Sequence, residues 1–228
     1  MRAHRQLWQW VAACAVAEAV GMTAAAGAAR VADQFTGGGA TEDRAAAVSL
    51  VVAGGLVEGV ALGSAQSRVL ARLLPRLRRA PYLLATVAVA GLGWAAGSVP
   101  QPLGDTNAAA PPLGLVVLGG AGIGVVTGPV LGSAQALTLR GAVSDPCRWV
   151  LANLLAWPGA MAVIFLGAAA IGQGWSLPAA MATGTLTGLA AGAVLGGVTG
   201  CFLPGRPGGM HVTTHALGRT MGEQLKRG

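Results

Sequence analysis

Two glutamates, Glu18 and Glu58, stand in long runs of small and apolar residues, with no other polar side chain within a helical turn of either. A carboxyl so placed has two uses. It binds a proton or a cation along a polar pathway, or it stays neutral and hydrogen-bonds a neighbouring helix. An ionised group near the centre of an apolar span costs about 2.5–3.5 kcal/mol on insertion scales, so a cation, a proton or a set of donors must offset it. No Lys, Arg or His lies inside any of the apolar runs. Gln66, Gln135 and Asn153 are the further polar candidates; such side chains join helices through hydrogen bonds of about 0.6 kcal/mol each, or touch a ligand. These five residues form the candidate intramembrane polar site.

Other chemistry finds little to work with. His211 and His215 are four apart, as zinc-binding pairs are, but no third ligand is near. Cys14, Cys147 and Cys201 have no C-x-x-C spacing. The chain carries no H-E-x-x-H and no G-x-x-x-x-G-K, and the glycine-rich Gly119 to Gly124 sits within an apolar run with no strand before it. No enzymatic activity, metal or cofactor is therefore expected. The net charge of +7 raises nucleic acid as a partner, but the basic residues lie in short connections, where charge sets membrane orientation. Fourteen of the fifteen are arginine in a chain rich in alanine and glycine, a bias that points to a GC-rich bacterial genome.

With 54% hydrophobic and only 10% charged residues, and a mean hydropathy of +0.62, the composition is that of a membrane protein. A helix needs about 20 apolar residues to cross the hydrocarbon core. Six segments qualify, running from Leu7 to Ala29, Ala45 to Ser67, Pro81 to Val99, Leu113 to Leu139, Trp149 to Gly172 and Leu177 to Leu203. Residues 1–203 are thus read as a six-span domain and 204–228 as a cytoplasmic tail. The first segment also has features of a cleavable secretory signal, against which Glu18 within its apolar run speaks.

Charge in the connections sets the topology. Arg2 and Arg5 precede the first span, and the next connection sums to −1. Arg68, Arg72, Arg76, Arg78 and Arg79 then give +5, Asp105 stands alone, and Arg140, Asp145 and Arg148 give +1. An uncharged link near Gly174 and a tail of +3 complete the alternation. The expectation is a multi-pass protein of the bacterial cytoplasmic membrane with both termini in the cytoplasm. Arg68, Arg72, Arg76 and Arg79 are expected to share a helical face, and that face suits anionic lipid headgroups. Trp8, Trp10, Trp149 and Trp175 fall at span ends, where an indole keeps its ring apolar and its N–H wet. Trp94 and Trp157 lie deeper and are expected between helices. From His215 onward, Leu217, Met221 and Leu225 form an apolar stripe suited to a short helix on the inner leaflet or to a disordered tail.

The even-numbered spans share a pattern. Gly55, Gly59 and Gly63 end on Gln66, Gly120, Gly124, Gly128 and Gly132 end on Gln135, and Gly184, Gly188, Gly192, Gly196 and Gly200 form a third ladder. The identical LGSAQ at Leu62 and Leu131 gives an offset of 69 residues, while in the third ladder Thr199 replaces the glutamine. Odd-numbered spans repeat more weakly, through Trp10-Val11 and Trp149-Val150, and through Gly93-Trp94 and Ala156-Trp157. This predicts an all-α bundle of six transmembrane helices built from three tandem two-helix repeats, related by an axis near the membrane normal. Residues four apart drift only about 40° around a helix, so each ladder makes a flat ridge for close helix packing. Glu58 lies about 60° around from Gly55, beside the ridge, where it could face a central cavity.

The G-x-x-Q-x-x-x-L segments, followed by arginine and a tryptophan-led span, resemble those of uncharacterised bacterial integral membrane proteins with repeated G-x-x-Q-W-L-x-L-R segments. Ser67 and Ala136 stand where those proteins have tryptophan, and Arg140 completes a Leu-Arg ending. That resemblance implies a membrane location and no particular activity. The sequence as a whole predicts a transport-type or permease-like membrane protein with a polar intramembrane site. The alternative is a non-catalytic scaffold or accessory subunit whose ridges bind a membrane-protein partner, lipid or a second copy.

Overall fold

The computed structural model describes residues 2–35, 41–98, 111–172 and 174–213. They form six helices: α1 (Arg2–Phe35), α2 (Thr41–Leu73), α3 (Arg79–Gly97), α4 (Leu113–Leu139), α5 (Cys147–Ala170) and α6 (Leu177–Gly200). Each is long and apolar enough to cross a membrane, and the chain is an all-α, multi-pass membrane protein.

The helix limits follow local chemistry. α2 begins earlier than hydropathy predicts, with Asp43 in its first turn, where a carboxylate suits the positive end of the helix dipole. It ends at Leu73 because Leu74 precedes Pro75, and a residue before proline is held out of the helical region. α6 is capped by Ser176, whose hydroxyl accepts the N–H of Ala179 at 3.4 Å, with Pro178 in the first turn. Beyond α4, Gly141 takes φ +85°, a conformation that favours glycine and turns the chain toward α5.

The helices form a closed ring in chain order, with α6 returning to α1. The α1/α6, α4/α5 and α1/α2 interfaces are extensive, whereas α3 and α4 touch least. The glycine ladders explain the close pairs. A Cβ on Gly192 would stand 2.5 Å from the carbonyl oxygen of Cys14, and one on Gly184 would stand 2.5 Å from that of Met22. On α4, a Cβ at Gly124 or Gly128 would stand 2.5 Å from the Trp157 carbonyl or 2.6 Å from that of Asn153. On α2, Gly59 and Gly63 lie against Ala90, Thr86 and Leu83 of α3. Each even helix therefore turns its ladder onto the odd helix that follows it around the ring.

One side of the ring is closed by a buried apolar cluster including Leu70, Leu74, Leu77, Leu139, Leu203 and Met210. Residues 201–213 fold back over this end instead of leaving it as a free tail. Met210 is buried, its N–H donates to the Phe202 carbonyl at 2.9 Å, and Ser144 N–H donates to the His211 carbonyl at 2.9 Å. Arg148 adds bonds to the Gly208 and Gly209 carbonyls at 2.5 and 3.1 Å. His215 and the stripe through Leu225 lie outside the described residues, as do 36–40 and 99–110 in the connections after the first and third spans.

Candidate functional site

Glu58 sits near the middle of α2 and is 6% exposed. Its Oε2 accepts the indole N–H of Trp94 on α3 at 2.7 Å. The seat for that indole is Gly55, one turn earlier on α2, where any Cβ would overlap the ring. On its other side Glu58 meets Gly21 of α1, where a Cβ would stand 2.6 Å from both Cβ and Cγ of the glutamate. Two glycines on two helices thus leave room for one carboxyl and its donor.

Glu18, on α1 one turn before Gly21, is 1% exposed, and neither carboxyl oxygen has a hydrogen-bond partner among the described residues. Gly188 of α6 packs directly on its backbone carbonyl. The two glutamates stand on facing stretches of α1 and α2, since Gly21, one turn after Glu18, seats the side chain of Glu58. An unpartnered polar group in apolar surroundings costs on the order of 1–3 kcal/mol, and a charged one more.

A cavity of about 410 Å³ opens beside this pair, between α2, α3, α4 and α5. Its inner wall includes the buried Glu58, Leu62, Thr86, Leu131 and Trp157. Its rim includes Leu92, Ile123, Val126 and Val130, all exposed on the outer surface of the ring. The opening lies where α3 and α4 make their sparse contact. The expected central cavity is therefore lateral: Glu58 faces a space on the lipid-facing flank and not the axis of the bundle. Behind the cavity wall, Ala17, Leu62, Leu131, Ala156 and Leu195 join α1, α2, α4, α5 and α6 in one buried cluster.

The amides do different work. Gln135 Nε2 donates to Gln66 Oε1 at 3.2 Å and to Thr86 Oγ1 at 2.9 Å, while its Oε1 accepts Trp149 Nε1 at 2.8 Å. Tyr82 OH donates to Gln66 Oε1 at 2.9 Å, and Gln66 Nε2 reaches Cys14 Sγ at 3.8 Å. Trp10 Nε1 donates to Thr199 Oγ1 at 2.9 Å, and the Trp10 and Trp149 rings meet edge to face at 5.7 Å. This layer draws at least one residue from each of the six helices. Asn153 does not join helices: it donates to the Trp149 carbonyl and accepts Trp157 Nε1, both on α5, and its backbone carbonyl is what Gly128 approaches.

The structure thus brings Glu18 and Glu58 together, brings Gln66 and Gln135 together in a separate layer, and leaves Asn153 within its own helix. It departs from sequence expectation at two further points. Trp8 and Trp175 are exposed, but Trp10 and Trp149 are fully buried because Thr199 and Gln135 accept their N–H groups. Arg68, Arg72, Arg76 and Arg79 do not share one helical face, because α2 ends at Leu73 and α3 begins at Arg79; all four are nevertheless exposed at one end of the bundle. Trp94 was missed as a site residue. Its signal was available, since an indole N–H deep in a span needs an acceptor and only two carboxyls lie at depth.

Among the described residues no cluster of His, Cys, Asp and Glu could hold a metal ion. No protein-family model matches the chain, and neither a curated protein nor a solved structure matches it.

Proposed function

We propose that this chain is a transport-type, permease-like protein of the bacterial cytoplasmic membrane, with both termini in the cytoplasm and no enzymatic activity. The carrying observation is a pair of buried carboxyls, Glu18 without a hydrogen-bond partner among the described residues and Glu58 on the wall of a cavity that opens on the outer surface of the ring. A carboxyl kept at such cost fits a group that exchanges a proton or ligand. The three-unit architecture is supported by matching contacts: Trp10, Tyr82 and Trp149 donate to Thr199, Gln66 and Gln135, each pair joining an odd helix to an even one. Exposed Arg68, Arg72, Arg76 and Arg79 support anionic lipid as the partner at the cytoplasmic face. The scaffold reading is less favoured because the ladders it would use are covered within the chain.

The test is uptake by proteoliposomes under an imposed proton gradient, using tetraphenylphosphonium, triphenylphosphine oxide and tetraphenylborate as cationic, neutral and anionic probes. Protein-dependent uptake of at least one, lost in Glu58→Gln, is the expected result. Uptake of none, or uptake that Glu58→Gln leaves intact, overturns the reading.

A further inference from the structure

We propose that the cavity between α3 and α4 binds a hydrophobic organic cation, which enters sideways from the bilayer and sets its charge against Glu58. The proposal rests on the transport-type reading and names its ligand class.

The route follows from exposure. Leu92 is 71% and Val126 65% exposed, so the rim lies on the surface that hydrocarbon covers, and α3 and α4 barely close over it. A ligand dissolved in lipid reaches the cavity without crossing the packed ring. The volume of about 410 Å³ falls in the ordinary range for small-molecule sites, roughly 300–1,000 Å³.

The charge follows from what the walls lack. Glu58 is the one ionisable residue on the wall, and no basic residue shares that wall to neutralise it. Trp94 donates to one of its oxygens and supplies no charge. Glu18 lies behind it with both oxygens unpartnered among the described residues, so the inner side supplies a second acidic group and no positive one. An anion would meet these groups unfavourably, and a neutral ligand would leave the carboxyl uncompensated.

An inorganic ion fits poorly. Hard cations take six or more oxygen ligands, whereas the wall adds to Glu58 only the hydroxyls of Thr86 and Thr127. Thr86 Oγ1 already accepts Gln135 Nε2 at 2.9 Å, so one of its two lone pairs is taken, and two hydroxyls fall far short of that number. A diffuse, weakly hydrated positive charge fits better, because Trp94, Trp157 and Phe165 all line the cavity in a chain only 4% aromatic. Aromatic faces attract such charges, and the remaining wall is aliphatic.

The experiment is equilibrium binding to purified full-length protein in nanodiscs, with no gradient and with empty nanodiscs as background. Tetraphenylphosphonium and tetraphenylborate have the same shape and opposite charge. Wild-type protein is expected to bind the cation at least tenfold more tightly than the anion, and Glu58→Gln to lose at least tenfold in cation affinity. Thr127→Trp, which fills the cavity from its rim side, is expected to abolish binding and serves where Glu58→Gln fails to fold. Equal binding of the two ions, or cation binding unchanged in the folded variants, overturns the proposal. Cation binding without uptake overturns transport and leaves the site standing; uptake of the anion alone leaves transport standing and overturns the ligand class.

Discussion

Gln66 and Gln135, 69 positions apart and each the last residue of an LGSAQ segment, meet in the interior: Gln135 Nε2 donates to Gln66 Oε1 at 3.2 Å. The repeated sequence element is also a repeated contact element. Tyr82 completes Gln66 and Trp149 completes Gln135 in the same manner, by a donor from the following odd helix.

Gln135 carries three hydrogen bonds, so Gln135→Leu is expected to cost roughly 2 kcal/mol, at about 0.6 kcal/mol for each interhelical bond plus the groups left unpaired. Unfolding in an SDS titration reads this directly. A double-mutant cycle with Gln66→Leu should show coupling, and strict additivity would mean that the 3.2 Å contact carries no energy.

The ladders predict a contrast among glycines. Gly128→Ala and Gly192→Ala must push apart helices whose backbones are in contact, with an expected loss of about 1–3 kcal/mol. Gly122→Ala and Gly197→Ala, on faces where a Cβ meets nothing within 4 Å, should be neutral or gain up to ~1 kcal/mol from helix propensity. Thermal unfolding of the four variants in one detergent is sufficient, and equal losses would remove the role given to the ladders.

The two glutamates should behave oppositely. Glu18→Leu removes a carboxyl with no hydrogen bond to lose, so stability is expected to hold or rise. Glu58→Leu strands the Trp94 N–H and should cost about 1–3 kcal/mol. A large loss at Glu18 in the SDS titration would assign it a structural bond and take it out of the functional pair.

Cysteine labelling checks the orientation. Cys147 is exposed beside the connection that carries Arg140 and Arg148, whereas Cys14 is buried. A membrane-impermeant maleimide should label Cys147 in inverted vesicles and not in intact cells, with Cys14 protected in both. Labelling from outside the cell would invert the topology.

Much of the fold was legible because spans announce themselves by length and hydropathy, and because four-residue glycine spacing marks a close face. What escaped was what depends on partners far apart in the chain. The burial of Trp10 rests on Thr199, and the seat of Trp94 rests on Gly55 and Glu58; no local pattern pairs them. The broken arginine face was legible and misread, since Pro75 already announced the end of α2. Glu18 and Glu58 stood out because charge inside a span is rare, but the side to which Glu58 opens depends on the gap between α3 and α4, which no single helix encodes.

The layer of Trp10, Gln66, Tyr82, Gln135, Trp149 and Thr199 ties every helix to at least one neighbour at one level of the ring. Sliding one helix there by a turn breaks bonds on others as well, so that level is stiff. Beyond it, the α3/α4 seam holds no such tie among the bonds described. The amide layer is thus a rivet through the ring, and its one described bond across the α3/α4 seam, Gln135 to Thr86, is also part of the wall on which Glu58 opens.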